Sequence, residues 1–249
     1  MNTTLPTISL ANLLLAFAPS VLLLLVMHRW KLKAMTALYA NGRMLVQLLA
    51  IGYVLTYVFE TDSAGLIALV VSVMIVVAAA IAIRPLRDRG WSNYSLALIG
   101  IAASGVTMLV IVTQLVLDLP RWFEPSFVVP LSGMIFANAM NTVSLAAERY
   151  EAELGRGVRA LDARREALDA SLIPQINGLL AVGLVSLPGM MTGQILSGVE
   201  PIVAVRYQIM VMCMVFGSGG LGAALYLEMK RRLGDTPVEG SVERPSEGV

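Results

Sequence analysis

The sequence predicts an all-α, polytopic membrane protein with about seven transmembrane helices, its amino end outside and its carboxyl end in the cytoplasm. The 249 residues are 57% hydrophobic and 14% charged, and their mean hydropathy is +0.76. That is too little charge to cover a soluble domain of this length. Apolar runs of about 20 residues, the length needed to cross a bilayer, recur along the chain. All but two of the 18 basic residues fall in alternate connections between these runs, which places them on one side.

Seven apolar runs define the predicted spans. Each should be helical, because an open strand would leave backbone polar groups unpaired in lipid. The first run has no Lys or Arg before it, so it is predicted to remain as a span rather than to be a cleaved signal peptide. The second is short, and the mildly amphipathic stretch 34–43 could extend its helix along the interface. The runs cover residues 8–27, 43–59, 64–83, 94–117, 126–147, 175–198 and 203–227.

The distribution of basic residues predicts the orientation of these spans. The connections after the first, third, fifth and seventh spans carry most of the Lys and Arg, and short basic connections stay in the cytoplasm. Adding or removing one span would destroy this alternation, so seven spans are preferred. Arg121 and Arg206 are the basic residues on the opposite side, where they accompany Glu60, Asp62, Asp118, Glu124 and Glu200.

One membrane domain accounts for most of the chain. Residues 1–233 are predicted to form this transmembrane domain, with a charged cytoplasmic segment at about 148–172. Residues 234–249 are rich in Gly, Pro, Ser and Glu and lack apolar periodicity, so they are predicted to form a disordered cytoplasmic tail.

Composition and the placement of charges exclude several functions. A net charge of +1 gives no field that would attract nucleic acid. His28 is the only histidine, so one copy cannot form a histidine-based metal site or catalytic triad, and no metal site is predicted. The span interiors contain no Asp, Glu, Lys or His, which argues against an ion-coupled carrier. Lys230 follows the last span, so it cannot hold retinal inside the bilayer.

Uncharged polar residues inside the spans are the first candidates for a transport path. Asn138 and Asn141 are three residues apart, which puts both amides on one helix face, just after the breaker run Pro130–Gly133. Interhelical hydrogen bonding, worth about 0.6–2 kcal/mol for each group, is the alternative explanation. The polar residues of this kind are Gln47, Gln114, Asn138, Asn141, Gln175, Asn177, Gln194 and Gln208.

The sixth span contains a predicted helix break. Pro188 removes a backbone hydrogen bond, and Gly189 and Gly193 would let another helix approach closely. Broken helices in transporters often form substrate sites or gates, although a break can also serve packing alone. Met190 and Met191 are either thioether ligands for a soft metal or fillers of gaps in the core. The predicted path or gate comprises Asn138, Asn141, Pro188, Gly189, Met190, Met191, Thr192, Gly193 and Gln194.

The charged segment at about 148–172 has two interpretations. Acidic and basic side chains interleave along it, and Gly155 and Gly157 interrupt it. A solvated helix that merely connects two spans would have this composition. The second interpretation is a docking helix that transmits motion from a soluble partner.

Several segments resemble the Fet-type iron-export permeases, a family that also contains plant aluminium-tolerance permeases. The resemblance rests on residues 173–177 (IPQIN), on residues 182–198 (VGLVSLPGMMTGQILSG), on Pro201 and on residues 204–208 (AVRYQ). Weaker similarity covers residues 47–49, 52–55 and 130–134 with Asn138. Members of this family are membrane subunits of ABC transporters, so the resemblance implies two permease copies, two separate ATPases and export from the cell.

The resemblance also assigns a role to the charged segment. ABC permeases carry a Glu-Ala-Ala element, three residues and then Gly, which docks into the ATPase. Here the element corresponds to Glu151, Ala152 and Gly157, with Glu153 in place of the second Ala. The chain lacks a phosphate-binding loop ending in Lys-Ser or Lys-Thr, so ATP and Mg would be used by the partner ATPase, and this chain would be neither an enzyme nor a cofactor-binding protein.

The predicted function is therefore the permease subunit of an ATP-driven exporter involved in iron or metal efflux, in the bacterial inner (plasma) membrane. Its predicted partners are a separate ATPase, a second copy of itself and the lipid bilayer, without nucleic acid. The alternatives are a self-sufficient channel or secondary carrier, an ABC exporter of a non-metal substrate such as a nucleotide sugar, and a seven-helix receptor.

Overall fold

Helices account for the regular structure of the part of the chain that the structure, a computed structural model, describes: residues 9–60 and 63–234. Within these ranges no strand is present, so the predicted all-α class is confirmed. The predicted disordered tail, apart from residue 234, lies outside the described residues. The chain divides into two compact units, residues 1–61 and 62–249.

The first unit contains two apolar helical segments. α1 (Leu10–Leu15) and α2 (Ala18–Arg29) form the first predicted span, and a short irregular step at residues 16–17 separates them. The Ser9 side chain caps α1 by accepting a hydrogen bond from the Asn12 backbone N–H at 3.2 Å. α3 (Ala34–Phe59) contains the second predicted span and the amphipathic stretch before it.

The second unit contains the remaining helices. α4 (Ala64–Ala82) and α5 (Trp91–Val110) come first, and α5 continues as a wider, π-helical turn over Ile111–Val116. The later helices are α6 (Pro125–Gly155), α7 (Ala160–Ala181), α8 (Gly189–Leu196) and α9 (Pro201–Gly234).

Glycines allow α5, α6 and α9 to pack closely in the core of the second unit. A Cβ added at Gly100 would lie 2.9 Å from the Gly222 carbonyl oxygen, and one added at Gly105 would overlap the ring of Phe136. Close approach at small residues is the usual way in which membrane helices gain van der Waals contact. These three helices therefore form the frame on which the other helices of the unit pack.

Six helical segments of the described residues are long and apolar enough to cross a membrane. The predicted span 175–198 is not one of them as a continuous helix, and the helix break predicted within it is confirmed. α7 ends at Ala181, and an irregular turn at residues 182–188 precedes the short α8. Gly183 with φ of +82° and Pro188, which precedes the first residue of α8, account for the interruption. The six segments are Ala11–Arg29, Ala34–Phe59, Ala64–Ala82, Trp91–Val116, Pro125–Gly155 and Pro201–Leu233.

The interrupted segment nevertheless returns the chain from one end of the unit to the other. Two contacts show that α6 and α9 run in the same direction. Near the beginnings of these helices, Phe127 and Tyr207 line one cavity. Farther along both helices, a side chain at Gly219 would overlap Thr142. The chain between two parallel helices must travel back along their length, and α7, the turn and α8 together make this discontinuous pass.

Candidate transport path and coupling surface

A partly open cavity of about 410 Å³ lies between α6, α7, α8 and α9. Asn138 and Asn141 both line it, so the two amides that the sequence places on one helix face do share one cavity. Pro188, Gly189 and Met190 line it from the break between α7 and α8. The other lining residues are Met134, Thr142, Leu145, Ser171, Pro174, Gln175, Gly178, Leu179, Gln208, Val211, Met212, Val215 and Phe216.

A second cavity of about 400 Å³ adjoins the first toward the beginnings of α6 and α9. Met134 and Met190 line both cavities, so their side chains stand where the two spaces meet. Gln194 lines the second cavity together with Tyr207 and Met210. The two cavities thus follow α6 and α9 past the helix break, in the manner of a path along the bundle.

Other predicted path residues lie outside these cavities. Met191 and Gly193 line neither one. The Thr192 hydroxyl donates a hydrogen bond to the Pro188 carbonyl at 3.1 Å and is thereby satisfied within its own helix. Within the described part of the chain, no atom outside its own helix backbone and chain neighbours lies within 4 Å of a Cβ added at Gly189 or Gly193, so the predicted close helix approach at this pair is not formed inside one copy.

Polar groups along the first cavity are only partly satisfied. The Asn138 amide donates to the Met134 carbonyl at 2.9 Å, the Thr142 hydroxyl donates to the Asn138 carbonyl at 2.9 Å, and the Gln175 amide donates to the Thr142 hydroxyl. The side-chain oxygens of Gln175, Gln194 and Gln208 are buried without a hydrogen-bond partner among the described residues.

Gln175 and Gln208 are the site residues that sequence reasoning missed. Both are uncharged polar residues within the predicted spans, but neither belongs to the predicted path or gate. The available signal was their position in the two motif segments 173–177 and 204–208, which lie on α7 and α9. Only the packing of these helices against α6 brings both amides to the cavity that contains Asn138.

The lining of both cavities is uncharged. None of the residues that line them is Asp, Glu, Lys, Arg or His. Within residues 9–60 and 63–234, no group of three or more His, Cys, Asp or Glu residues is arranged to hold a metal ion. The chemistry offered to a ligand consists of amide and hydroxyl groups, thioethers and aliphatic surface.

A charged groove of about 560 Å³ lies at the opposite end of the unit, where α6 leaves the bundle. Glu151 and Ala152, two of the predicted coupling residues, line it. The Glu151 carboxylate accepts a hydrogen bond from the Arg87 backbone N–H at 3.3 Å and so joins α6 to the connection between α4 and α5. The remaining lining residues are Pro85, Arg87, Asp88, Glu148, Gly155 and Arg156.

Gly157 and Glu153 have different positions from the rest of the predicted element. Gly157 does not line the groove; it follows the end of α6 with φ of +83°, a conformation that side-chain-bearing residues rarely adopt. Glu153 is buried, with 3% of its surface exposed, and its carboxylate lies 2.7 Å from Arg149 and 2.8 Å from Arg156. The departure from Ala at this position therefore places an ion-paired side chain on the inner face of α6.

Further polar contacts tie the helices together at this charged end. Arg164 of α7 pairs with Glu228 of α9, which also pairs with Arg231 at 2.8 Å. Lys230 donates to the fully buried Asn93 side-chain oxygen at 2.6 Å, and the Asn93 amide donates to the Asp88 carbonyl at 2.8 Å. The groove is consequently lined by helix ends that are fixed relative to one another within this unit.

Comparison with known proteins identifies relatives over most of the chain. The profile of UPF0014, described as an uncharacterised protein family, matches residues 10–162 and 158–233. A UPF0014 membrane protein of Synechocystis is 35% identical, over 72% of this chain and 74% of its own. The probable iron export permease protein FetB of Escherichia coli is 32% identical, over 88% and 90% respectively. Protein ALUMINUM SENSITIVE 3 of Arabidopsis thaliana is 31% identical, over 73% and 70%. No solved structure matches the chain.

Proposed function

The chain belongs to the UPF0014 family of membrane proteins, and from this premise we propose that it is the permease subunit of an ATP-driven exporter. The resemblance to Fet-type permeases is confirmed, since a probable iron export permease is 32% identical over 88% of the chain. The proposed cargo class is metal, with iron first, because that relative is named as a probable iron export permease. The bilayer in question would be the plasma membrane.

One observation carries the proposal: a single continuous helix, α6, lines both the cavities and the charged groove. Its residues Met134, Asn138 and Asn141 line the first cavity. About three turns farther on, Glu151 and Ala152 of the same helix line the groove. A partner that pushed on the groove would move the cavity wall with it, because a packed helix transmits displacement along its axis.

A separate ATPase is the partner that suits this groove. The groove presents both acidic and basic groups at the end of the unit where α6, α7 and α9 carry their ion pairs. ATP and Mg would be bound by that ATPase, and this chain would supply the docking surface and the path. A second copy of the chain would complete the path, with the amino end outside and the carboxyl end in the cytoplasm.

Co-purification tests the proposal directly. The affinity-tagged chain is expressed in its native cells and purified in mild detergent, and we expect an ABC ATPase to be retained. Ala152→Arg adds a long charged side chain to the groove and is expected to release this ATPase.

The matched control is Leu154→Arg on the same helix, whose side chain is exposed but does not line the groove; it should keep the ATPase. Retention of the ATPase by the Ala152 variant would remove the coupling assignment. Absence of any ATPase from the wild-type preparation would favour the self-sufficient channel or carrier.

A further inference from the structure

We propose that the two adjoining cavities bind an uncharged ligand that carries hydrogen-bond donors, such as a metal ion already neutralised by its chelating groups. The proposal deepens the exporter function by naming the chemical form of its cargo, and it rests on that function only for the presence of a metal. Binding itself concerns this chain alone and can be measured without the ATPase.

Three glutamine side-chain oxygens at the cavities have no hydrogen-bond partner among the described residues. Gln208 is 6% exposed, and its side-chain oxygen has no partner among the described residues. The side-chain oxygens of Gln175 and Gln194 also have no partner among the described residues. Gln175 lines the first cavity, and Gln194 lines the second. Buried amide oxygens are normally paired. Each of these three is enclosed by protein, so a donor-bearing ligand would satisfy it when the glutamine side chain turns toward the cavity.

Two amide nitrogens at the first cavity already have partners. The Gln175 amide nitrogen donates to the Thr142 hydroxyl, and the Asn138 amide nitrogen donates to the Met134 carbonyl. The three unpaired oxygens favour ligands with N–H or O–H groups on their surface.

The rest of the lining selects against net charge on the ligand. Met134 and Met190 stand where the cavities meet, and Val211 and Met212 line the first one. A bare hard cation prefers carboxylate ligands, which this lining lacks, and transfer of a charge to apolar surroundings is strongly unfavourable. An anion would meet acceptors and no cationic side chain. A neutral complex avoids both costs and packs its apolar parts against the thioethers.

The size of the site suits such a complex. The first cavity measures about 410 Å³ and the second about 400 Å³, within the range of about 300–1,000 Å³ typical of small-molecule sites. A chelated metal of modest size would fit in one cavity and could pass Met134 and Met190 to reach the other.

Two synthetic iron complexes provide a matched test. Ferric tris(acetohydroxamate) is uncharged and presents an N–H on each chelating arm, whereas the tris(N-methylacetohydroxamate) complex is equally uncharged but lacks these donors. Equilibrium dialysis against the purified permease, with empty detergent micelles as the blank, measures their retention. We expect the first complex to bind about fivefold or more tightly than the second, the factor for loss of one or more hydrogen bonds. Ferrous ion and the anionic ferric EDTA complex should not exceed the blank.

Variants locate the site. Gln208→Leu removes one acceptor at nearly constant volume and should weaken binding of the acetohydroxamate complex by about tenfold, and Gln194→Leu provides an independent second acceptor change. Gln114→Leu is the control, because Gln114 is also a partly unpaired amide but lines neither cavity. Size-exclusion chromatography confirms the fold of each variant.

Four results would overturn the proposal: equal binding of the two hydroxamate complexes, tighter binding of ferrous ion than of either, unchanged binding in both glutamine variants, or absence of binding for every probe. None of these results would disturb co-purification of an ATPase, so failure of this inference can be separated from failure of the exporter function.

Discussion

The charged end of the second unit and its cavities use polar side chains in opposite ways, although α6 contributes to both. At the charged end, Glu153 has two arginine partners, Glu228 pairs with arginines of α7 and α9, and Asn93 accepts from Lys230. At the cavities, three glutamine oxygens have no partner among the described residues. Polar groups at the charged end hold helices together, and we propose that those at the cavities are available to a ligand.

The largest expected effect concerns the side of the membrane on which each end lies. The single cysteine, Cys213, is first replaced by serine. In that background a cysteine at Ser197 should react with a membrane-impermeant thiol reagent in intact cells, and one at Leu161 should react only after the membrane is opened. Leu161 is 50% exposed, whereas its neighbour Ala163 is fully buried and would not report. Labelling of position 161 from outside would show that the orientation is the reverse of the predicted one, with the charged end on the side where no ATP is available.

The next effect is on stability at the charged end. The double change Arg149→Leu/Arg156→Leu leaves the buried Glu153 carboxylate without these two partners and should lower the free energy of unfolding by about 2–4 kcal/mol, the range for leaving a buried charge unpaired, reduced because both arginines are partly exposed. Thermal unfolding in detergent measures the change. Glu148→Leu, at an exposed site of the groove, is the control and should change the midpoint little. Equal shifts in the two variants would refute a structural role for Glu153.

A smaller effect is expected at the turn that follows α6. Gly157→Val forces a β-branched residue into φ of +83° and should cost about 1–2 kcal/mol. The strain should displace the end of the groove and weaken ATPase retention. Gly157→Asn tolerates the same backbone conformation and should retain the partner. A valine variant that retains the ATPase normally would show that the turn has no part in coupling.

The smallest effect is expected at the cavities, and its sign is opposite to that at the charged end. Gln208→Leu removes a buried acceptor that has no partner among the described residues, so the ligand-free protein should be unchanged or up to about 1 kcal/mol more stable. Chemical unfolding of the ligand-free variant measures this. A clear loss of stability would mean that Gln208 holds the helices together after all, and the contrast between the two regions would disappear.

Hydropathy predicted the positions of the continuous membrane helices closely, but it did not locate the interruption within the run 175–198. The predicted run 64–83 corresponds to α4 at Ala64–Ala82, but 126–147 continues as α6 to Gly155, because charged residues extend a helix into water without remaining apolar. The run 175–198 contains enough apolar residues for a span. Its interruption begins at Ala181, several residues before Pro188, where hydropathy gives no signal.

Contacts between distant residues explain what else the sequence could not supply. Lys230 and Asn93 are 137 residues apart, and neither lies in a local pattern that indicates the other. The prediction that Asn138 and Asn141 share a face needed only helix periodicity and agrees with their common cavity. The addition of Gln175 and Gln208 to that cavity needed the parallel arrangement of α6 and α9, which no single helix encodes.

The interruption between α7 and α8 also bears on how the protein is assembled. α8 has eight residues and spans about 12 Å, less than half of a hydrocarbon core about 30 Å thick. The exposed Leu184 and Val185 lie in the turn before it. Neither α8 nor the end of α7 is long enough to cross the bilayer by itself. Residues of α9 also line both cavities, so the proposed path requires α9 to be in place beside these two short segments.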